Sequence, residues 1–284
     1  MNDNKIFITG ANGQLGTALR KKYPQARHAD INELDITNRD SVAKFDWSSI
    51  DVIVNAAAFT NVDEAETLEG RITAWSVNAI ALSFLSEAAT NHGITLVHIS
   101  SDYVFDGSQK IHTENEIFSP LSVYGASKAA GDLLAATTPQ HYILRTSWVI
   151  GEGKNFVKTM LDLAQKNISP TVVSDQIGRL TFTSELVRAI DHLLSNNCAY
   201  GTYNVTNSGD SMSWADITRR IFQIIDRNDL KVTDITTDIY YEGKQGIAQR
   251  PLLSTLDLTK IHSTGFESRD WNDDLLEYIR KETS

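Results

Sequence analysis

Lys5-Ile6-Phe7-Ile8-Thr9-Gly10-Ala11-Asn12-Gly13-Gln14-Leu15-Gly16-Thr17-Ala18-Leu19-Arg20 is the stretch that decides the fold. Its apolar start is short enough for a buried strand, and Thr17 to Arg20 opens a helical pattern. Between them stand Gly10, Gly13 and Gly16 at GxxGxxG spacing. Glycine admits positive φ and lets backbone amides approach a ligand with no Cβ in the way. A glycine turn at a helix N-terminus offers free N–H groups and a positive dipole end to a pyrophosphate. Three glycines alone also suit a plain tight turn. The strand before and the helix after favour dinucleotide binding.

Outward from this turn the chain alternates. Val52-Ile53-Val54, Thr95 to Ile99 and Tyr142-Ile143-Leu144 read as strands, while Val77 to His92 and Gly125 to Thr137 carry helical spacing. Gly93 and Pro139 stop the two helices. Strands alternating with helices imply right-handed crossovers and a parallel sheet covered on both faces. The fold class is therefore α/β, a doubly wound, Rossmann-like parallel sheet. Residues 1–150 are expected to bind the dinucleotide. Residues 151–284 are expected to form a smaller substrate-binding lobe, packed on the first and partly interleaved with it. In that half Asn155 to Asn167, Thr183 to Asn196, Ile217 to Ile225 (behind an N-cap Ser213) and Trp271 to Lys281 predict helices.

Composition excludes several classes. The chain has 284 residues, 41% hydrophobic and 22% charged, which is ordinary globular usage. A net charge of −10 argues against wrapping nucleic acid by bulk charge. The lone Cys198 has no partner for an internal disulfide. No run of apolar residues approaches the roughly 20 needed to span a bilayer. Met1-Asn2-Asp3-Asn4 lacks the basic and apolar regions of a secretory signal, so a cytoplasmic location is expected.

Asp30 stands 20 residues after Gly10, near the expected end of the second strand. A carboxylate there can accept both ribose hydroxyls of NAD and repel a 2′-phosphate. Asp35 lies close enough to share the task, and Arg27 could soften the discrimination. NADH with NADPH tolerated is the expectation.

Tyr124-Gly125-Ala126-Ser127-Lys128 sets a phenol and an ammonium four residues apart, on one face of a helix. A nearby cation and a helix N-terminal dipole should pull the phenol down from its ordinary pKa near 10. The strand from Thr95 ends in Ser100-Ser101-Asp102-Tyr103, at the sheet edge where such folds hold ligands. A serine there can polarise a carbonyl while Tyr124 delivers a proton. Glycine turn, strand-end serine and Tyr/Lys, in that order, are far more specific together than apart.

In these features the sequence resembles the extended short-chain dehydrogenase/reductases, and within them the dTDP-4-dehydrorhamnose reductase family. The resemblance runs through Asn55-Ala56-Ala57-Ala58-Phe59-Thr60-Asn61-Val62-Asp63-Glu64-Ala65-Glu66 and Ser101-Asp102-Tyr103-Val104-Phe105-Asp106-Gly107. It continues in Arg145-Thr146-Ser147-Trp148-Val149, Asn155-Phe156-Val157, Asp175-Gln176-Ile177-Gly178 and Arg250-Pro251. The resemblance implies Ser101, Tyr124 and Lys128 as the catalytic set. It implies Gly10, Gly13, Gln14 and Leu15 at the pyrophosphate, Asp35 and Ile36 at the adenine, and Ala56, Ala57, Ala58 and Thr60 along the cofactor, with Tyr124 and Lys128 touching it too. Tyr103, Val104 and Trp148 would lie against a deoxysugar, with Asn155 and Arg250 reaching toward its nucleotide. Core packing is the rival reading for Trp148 and Phe156, and a structural loop for Asp175-Gln176.

The activity so implied is NAD(P)H-dependent reduction of a C4 keto group on a dTDP-linked 6-deoxyhexose. Three departures stand out. Ser101 replaces a common threonine but keeps the hydroxyl. Gly178-Arg179-Leu180-Thr181 lacks the family's proline. Gln14-Leu15-Gly16 supplies no carboxylate for the Mg²⁺ some relatives hold at a dimer contact, so no essential metal is expected. The expected partners are a nucleotide-sugar substrate and, as an option, a second copy in a homodimer; nucleic acid and membrane are not among them. Two rivals remain. One is an NAD-retaining nucleotide-sugar dehydratase or epimerase, although Asp102 is followed by Tyr103 rather than the dehydratases' second carboxylate. The other is a non-catalytic cofactor-binding regulatory subunit.

Overall fold

Inner strands that are apolar throughout can only be stable when covered on both faces, and β1 (Ile6–Thr9) and β3 (Val52–Asn55) are buried along their whole length. The computed structural model describes residues 2–283. With β2 (Arg27–Ala29), β4 (Thr95–Ser101), β5 (His141–Thr146) and β6 (Gly201–Asn204) these strands form one parallel sheet. The spatial order is β6-β5-β4-β3-β1-β2. Chain direction across the sheet reverses at β1, which opens a crevice outside the C-terminal strand ends.

The helices used below are α1 (Gln14–Lys22), α2 (Arg39–Lys44), α3 (Leu68–Trp75), α4 (Ala81–His92), α5 (Val123–Ala135), α6 (Phe156–Gln165), α7 (Thr183–Ser195) and α8 (Trp214–Ile224). Side chains alternate along a strand, so Ile6 and Ile8 face one layer and Phe7 the other. Leu15, Leu19, Leu186 and Ile190 of α1 and α7 pack on the first face. Val42, Leu82, Leu85 and Ala135 of α2, α4 and α5 pack on the second, against Phe7, Ile53 and Leu96. Truncating one such leucine to alanine costs about 2–5 kcal/mol.

The structure departs from expectation at three points. Helix α4 does not start at Val77: α3, a π turn over Ser76–Ile80 and α4 run on as one helix. That stretch, Leu68–His92, is long and apolar enough by length and composition to cross a membrane, contrary to the expectation that none is. Half of its most apolar part is buried inside the molecule, so core packing accounts for that composition. The sixth strand, Gly201–Asn204, comes from the second half of the chain and was not expected. The remainder of that half gathers Val157, Leu161, Phe182, Ile221, Trp271 and Leu275 into a core of its own.

Candidate functional site

Tyr124 and Lys128 sit on the first two turns of α5, and the local sequence explains why that helix starts where it does. Ser122 Oγ accepts the Gly125 N–H at 3.1 Å, and Glu66 Oε1 accepts the Val123 N–H at 2.9 Å. Two orphan donors of the helix start are thus satisfied. Gly125 is obligatory, since a Cβ there would stand 2.2 Å from the Tyr103 carbonyl oxygen. This close approach lays α5 against the end of β4. Ser101 therefore falls beside Tyr124, and the rings of Tyr103 and Tyr124 meet edge to face at 5.3 Å.

Around these side chains is a cleft of about 400 Å³ lined by Gly13, Gln14, Leu15, Ala56, Ala58, Thr60, Ser101, Tyr103, Tyr124, Lys128 and Trp148. It shares Gly13, Ala56 and Ala58 with a second hollow of about 350 Å³ that Gly10, Asp30, Asp35, Ile36 and Ala57 help to line. The two make one groove along the strand ends, and it gathers the candidate cofactor residues, the expected catalytic set, Tyr103 and Trp148. The groove suits a dinucleotide. Gly10 has φ +63° and its Cβ would strike Ala57 N at 2.5 Å, so the turn lies close against the start of the loop after β3. Helix α1 starts at Gly13 with no side-chain cap and no acid in its first turn, which leaves its amides for a phosphate. Asp30 Oδ2 accepts the Asn12 N–H at 3.0 Å, while Asp35 is folded onto Thr37. Arg27 is drawn away, donating to the Asp46 carbonyl and resting on the Phe45 ring.

Three residues expected at the sugar nucleotide have partners of their own. Val104 is fully buried among Phe105, Ala129 and Leu256: Asp102–Val104 is a short 3₁₀ turn whose successive side chains diverge by about 120°, so Tyr103 lines the cleft while Val104 turns into the core. Asn155 is the N-cap of α6: its Oδ1 takes the Lys158 N–H and its Nδ2 reaches the Gly151 carbonyl and the Tyr278 hydroxyl. Arg250 lies beside Tyr103 and Tyr241, but its guanidinium is held by Asp63 at 2.9 Å.

The expected electrostatics are reversed. Burial pushes the Tyr124 phenol up to about 12, against the pull of the Ser101 hydroxyl, with Asp102 and Asp132 adding to the rise. Burial likewise lowers the Lys128 ammonium to about 8, with Asp132 opposing the drop. Lys128 Nζ donates to the Ile99 carbonyl at 2.6 Å. For both groups desolvation by burial is the largest cause of the shift. A phenol near 12 stays protonated at neutral pH. In that state it can donate a proton to a more basic oxygen.

Sequence reasoning missed three positioning groups. Asn78, in the π turn, clasps Phe59 through the Phe59 N–H at 2.9 Å and its carbonyl at 3.0 Å, and also reaches Ser127 Oγ at 3.0 Å. A π turn beside a site is a recurrent device, but no local pattern marks it. Glu66 caps α5 from far away in sequence. Buried Asp102 accepts from Ser101 Oγ at 3.0 Å, and burial raises its pKa to about 6 despite hydrogen bonds from Ser254 and Ser101. Among the described residues no group of three or more His, Cys, Asp or Glu is arranged to hold a metal.

With this geometry in hand, comparison with known proteins is specific. The family described as RmlD substrate binding domain matches residues 4–284. The dTDP-4-dehydrorhamnose reductase of Aggregatibacter actinomycetemcomitans is 41% identical, over 94% of this chain and 95% of that one. A dTDP-4-dehydrorhamnose reductase structure from Clostridium acetobutylicum superposes with TM-score 0.91 at 37% identity, covering 98% of this chain and 99% of the other. That of the Bacillus anthracis protein, in complex with NADP, superposes with TM-score 0.88 at 34% identity, covering 98% of both chains.

Proposed function

This chain belongs to the dTDP-4-dehydrorhamnose reductase family, and we propose that it reduces the C4 keto group of dTDP-4-dehydro-L-rhamnose with NAD(P)H. The observation that carries the reading is the meeting of Ser101, Tyr124 and Lys128 in one groove with the glycine turn. The residues of that turn and of Ala56 to Ala58 would hold the cofactor, and a reduced nicotinamide bound there supplies hydride. Ser101 orients the keto oxygen by hydrogen bonding. Tyr124 then donates its proton to that oxygen as negative charge develops, and Lys128 stabilises the phenolate left behind. General acid help of this kind is worth roughly 10²–10⁴ in rate. Tyr103 and Trp148 flank the space left for the sugar.

A dehydratase or epimerase would return its cofactor unchanged. Asp102 does not supply the missing second carboxylate either, since it is buried and turned onto Ser101. The test is oxidation of NADH or NADPH by the purified protein with dTDP-4-dehydro-L-rhamnose, followed by product identification. One cofactor consumed per dTDP-L-rhamnose formed is expected. Turnover without cofactor consumption points to the dehydratase or epimerase reading, and tight cofactor binding without turnover to a regulatory subunit.

A further inference from the structure

Trp148 is a bulky residue with φ +47°, in the left-handed region that favours glycine. Such a conformation persists only where the surroundings over-determine it, and here two neighbours from the second half of the chain do so. On one side the Trp214 ring stacks on Trp148 with centroids 3.6 Å apart and planes 16° from parallel. On another, Gly178 leaves no room: a Cβ there would stand 2.9 Å from Trp148 Cε2.

The two neighbours are set by one short ribbon. Ile177–Gly178 pairs antiparallel with Met212–Ser213, Gly178 opposite Met212. Ser213 then caps α8, its Oγ taking the Asp216 N–H at 3.1 Å, so Trp214 is the first helical residue and stands over the ribbon. Phe156 at the start of α6 backs Trp214 with ring centroids 4.4 Å apart. The Asp175-Gln176-Ile177-Gly178 string thus has a mechanical use: its glycine is where the indole must pass.

We propose that Trp214 is a positioning residue, one that holds the Trp148 ring as a fixed wall at the sugar end of the groove. This rests on the functional reading above. A tryptophan free to rotate would have to be ordered each time a sugar bound, and a wall already stacked avoids that cost. The effect should fall on binding of the nucleotide sugar and leave the cofactor end untouched.

The test compares W214F, W214L and G178A with the wild-type protein, measuring kcat and both KM values with dTDP-4-dehydro-L-rhamnose and NADPH. An aromatic pair contributes enough that its loss should raise the sugar-nucleotide KM about threefold to tenfold in W214L. G178A, which crowds the ring from the other side, should do the same without altering Trp214. W214F keeps a ring for the stack and should recover most of the affinity. In all three the KM for NADPH should stay at the wild-type value. A W214L or G178A protein with an unchanged sugar KM overturns the proposal, as does a parallel rise in both KM values. A wild-type protein inert toward the keto sugar overturns the functional reading itself, which is a different result from an active wild type with indifferent variants.

Discussion

Arg250 donates from Nη2 to Asp63 Oδ2 at 2.9 Å, joining the loop after β3 to a segment 187 residues away. Asp63 Oδ1 also takes the Ala248 N–H at 3.1 Å, so one carboxylate holds that segment twice. Burial would raise the Asp63 pKa, but the Arg250 and Ala248 hydrogen bonds and the Arg250 charge outweigh it and the net shift is downward. The pair is partly exposed, so its worth to stability is small, at most about 1 kcal/mol. Its worth to the site should be larger, because it fixes the segment beside Tyr103. Asp63→Asn is expected to raise the KM for the sugar nucleotide with little change in melting temperature. A large drop in melting temperature at unchanged KM would give the pair a purely structural role.

Tyr124→Phe removes the proton donor and keeps the ring that packs on Tyr103. The expected loss in kcat is roughly 10²–10⁴, with cofactor affinity nearly intact by fluorescence titration. Full turnover in this variant would take Tyr124 out of the chemistry.

Lys128→Met should separate stability from activity. The lysine's pKa falls from 10.5 in the open chain to about 8 when folded, through burial. Well above pH 10.5 neither state is charged and the group costs nothing. As pH falls toward 8 the unfolded chain takes up the proton first, so the folded state loses stability, by about 3 kcal/mol once both are charged. The Ile99 carbonyl loses its partner in the variant, which offsets part of the gain. The stability advantage of Lys128→Met over the wild type should therefore be largest below pH 8 and shrink between pH 8 and 10.5, as read by denaturant melts. Turnover should collapse throughout.

Asp30 is the acid placed at the adenosine end of the groove with both oxygens engaged by backbone, Oδ2 on Asn12 and Oδ1 on Ile31. Its charge should disfavour a 2′-phosphate, and Arg27 is committed elsewhere. The wild type is thus expected to prefer NADH in kcat/KM, and Asp30→Ser to shift the preference toward NADPH by at least about fivefold, the worth of one contact at about 4 Å (about 1 kcal/mol) even with full water screening. An unaltered cofactor ratio would move the discrimination to another residue.

Some of this was legible because its cause is local. The glycine turn, the Tyr124 to Lys128 spacing and the Ser213 cap are short-range patterns, and each falls on the element its spacing implied. Asn155 carried a local signal as well: an asparagine directly before an amphipathic run is an N-cap, and that reading competes with a ligand role. Strand β6 was not legible, since Gly-Thr-Tyr-Asn has no apolar run, and only its seat beside β5 makes it a strand. Asn78 was not legible either, because a π turn differs from an α turn by hydrogen-bond partners that composition does not encode.

What the chain's order of residues determined alone is the parallel α/β layering, the glycine turn between β1 and α1 and the identity of the hydroxyl, phenol and amine, since these depend on periodicity and on residue chemistry within a few positions. Tertiary structure decided the rest. It set the burial that raises the Tyr124 pKa, the packing of Val104 in the core, the capping of α6 by Asn155, the tie between Asp63 and Arg250 and the stacking of Trp214 on Trp148. Desolvation and contact are properties of what surrounds a group in space, and segments from both halves of the chain supply those surroundings.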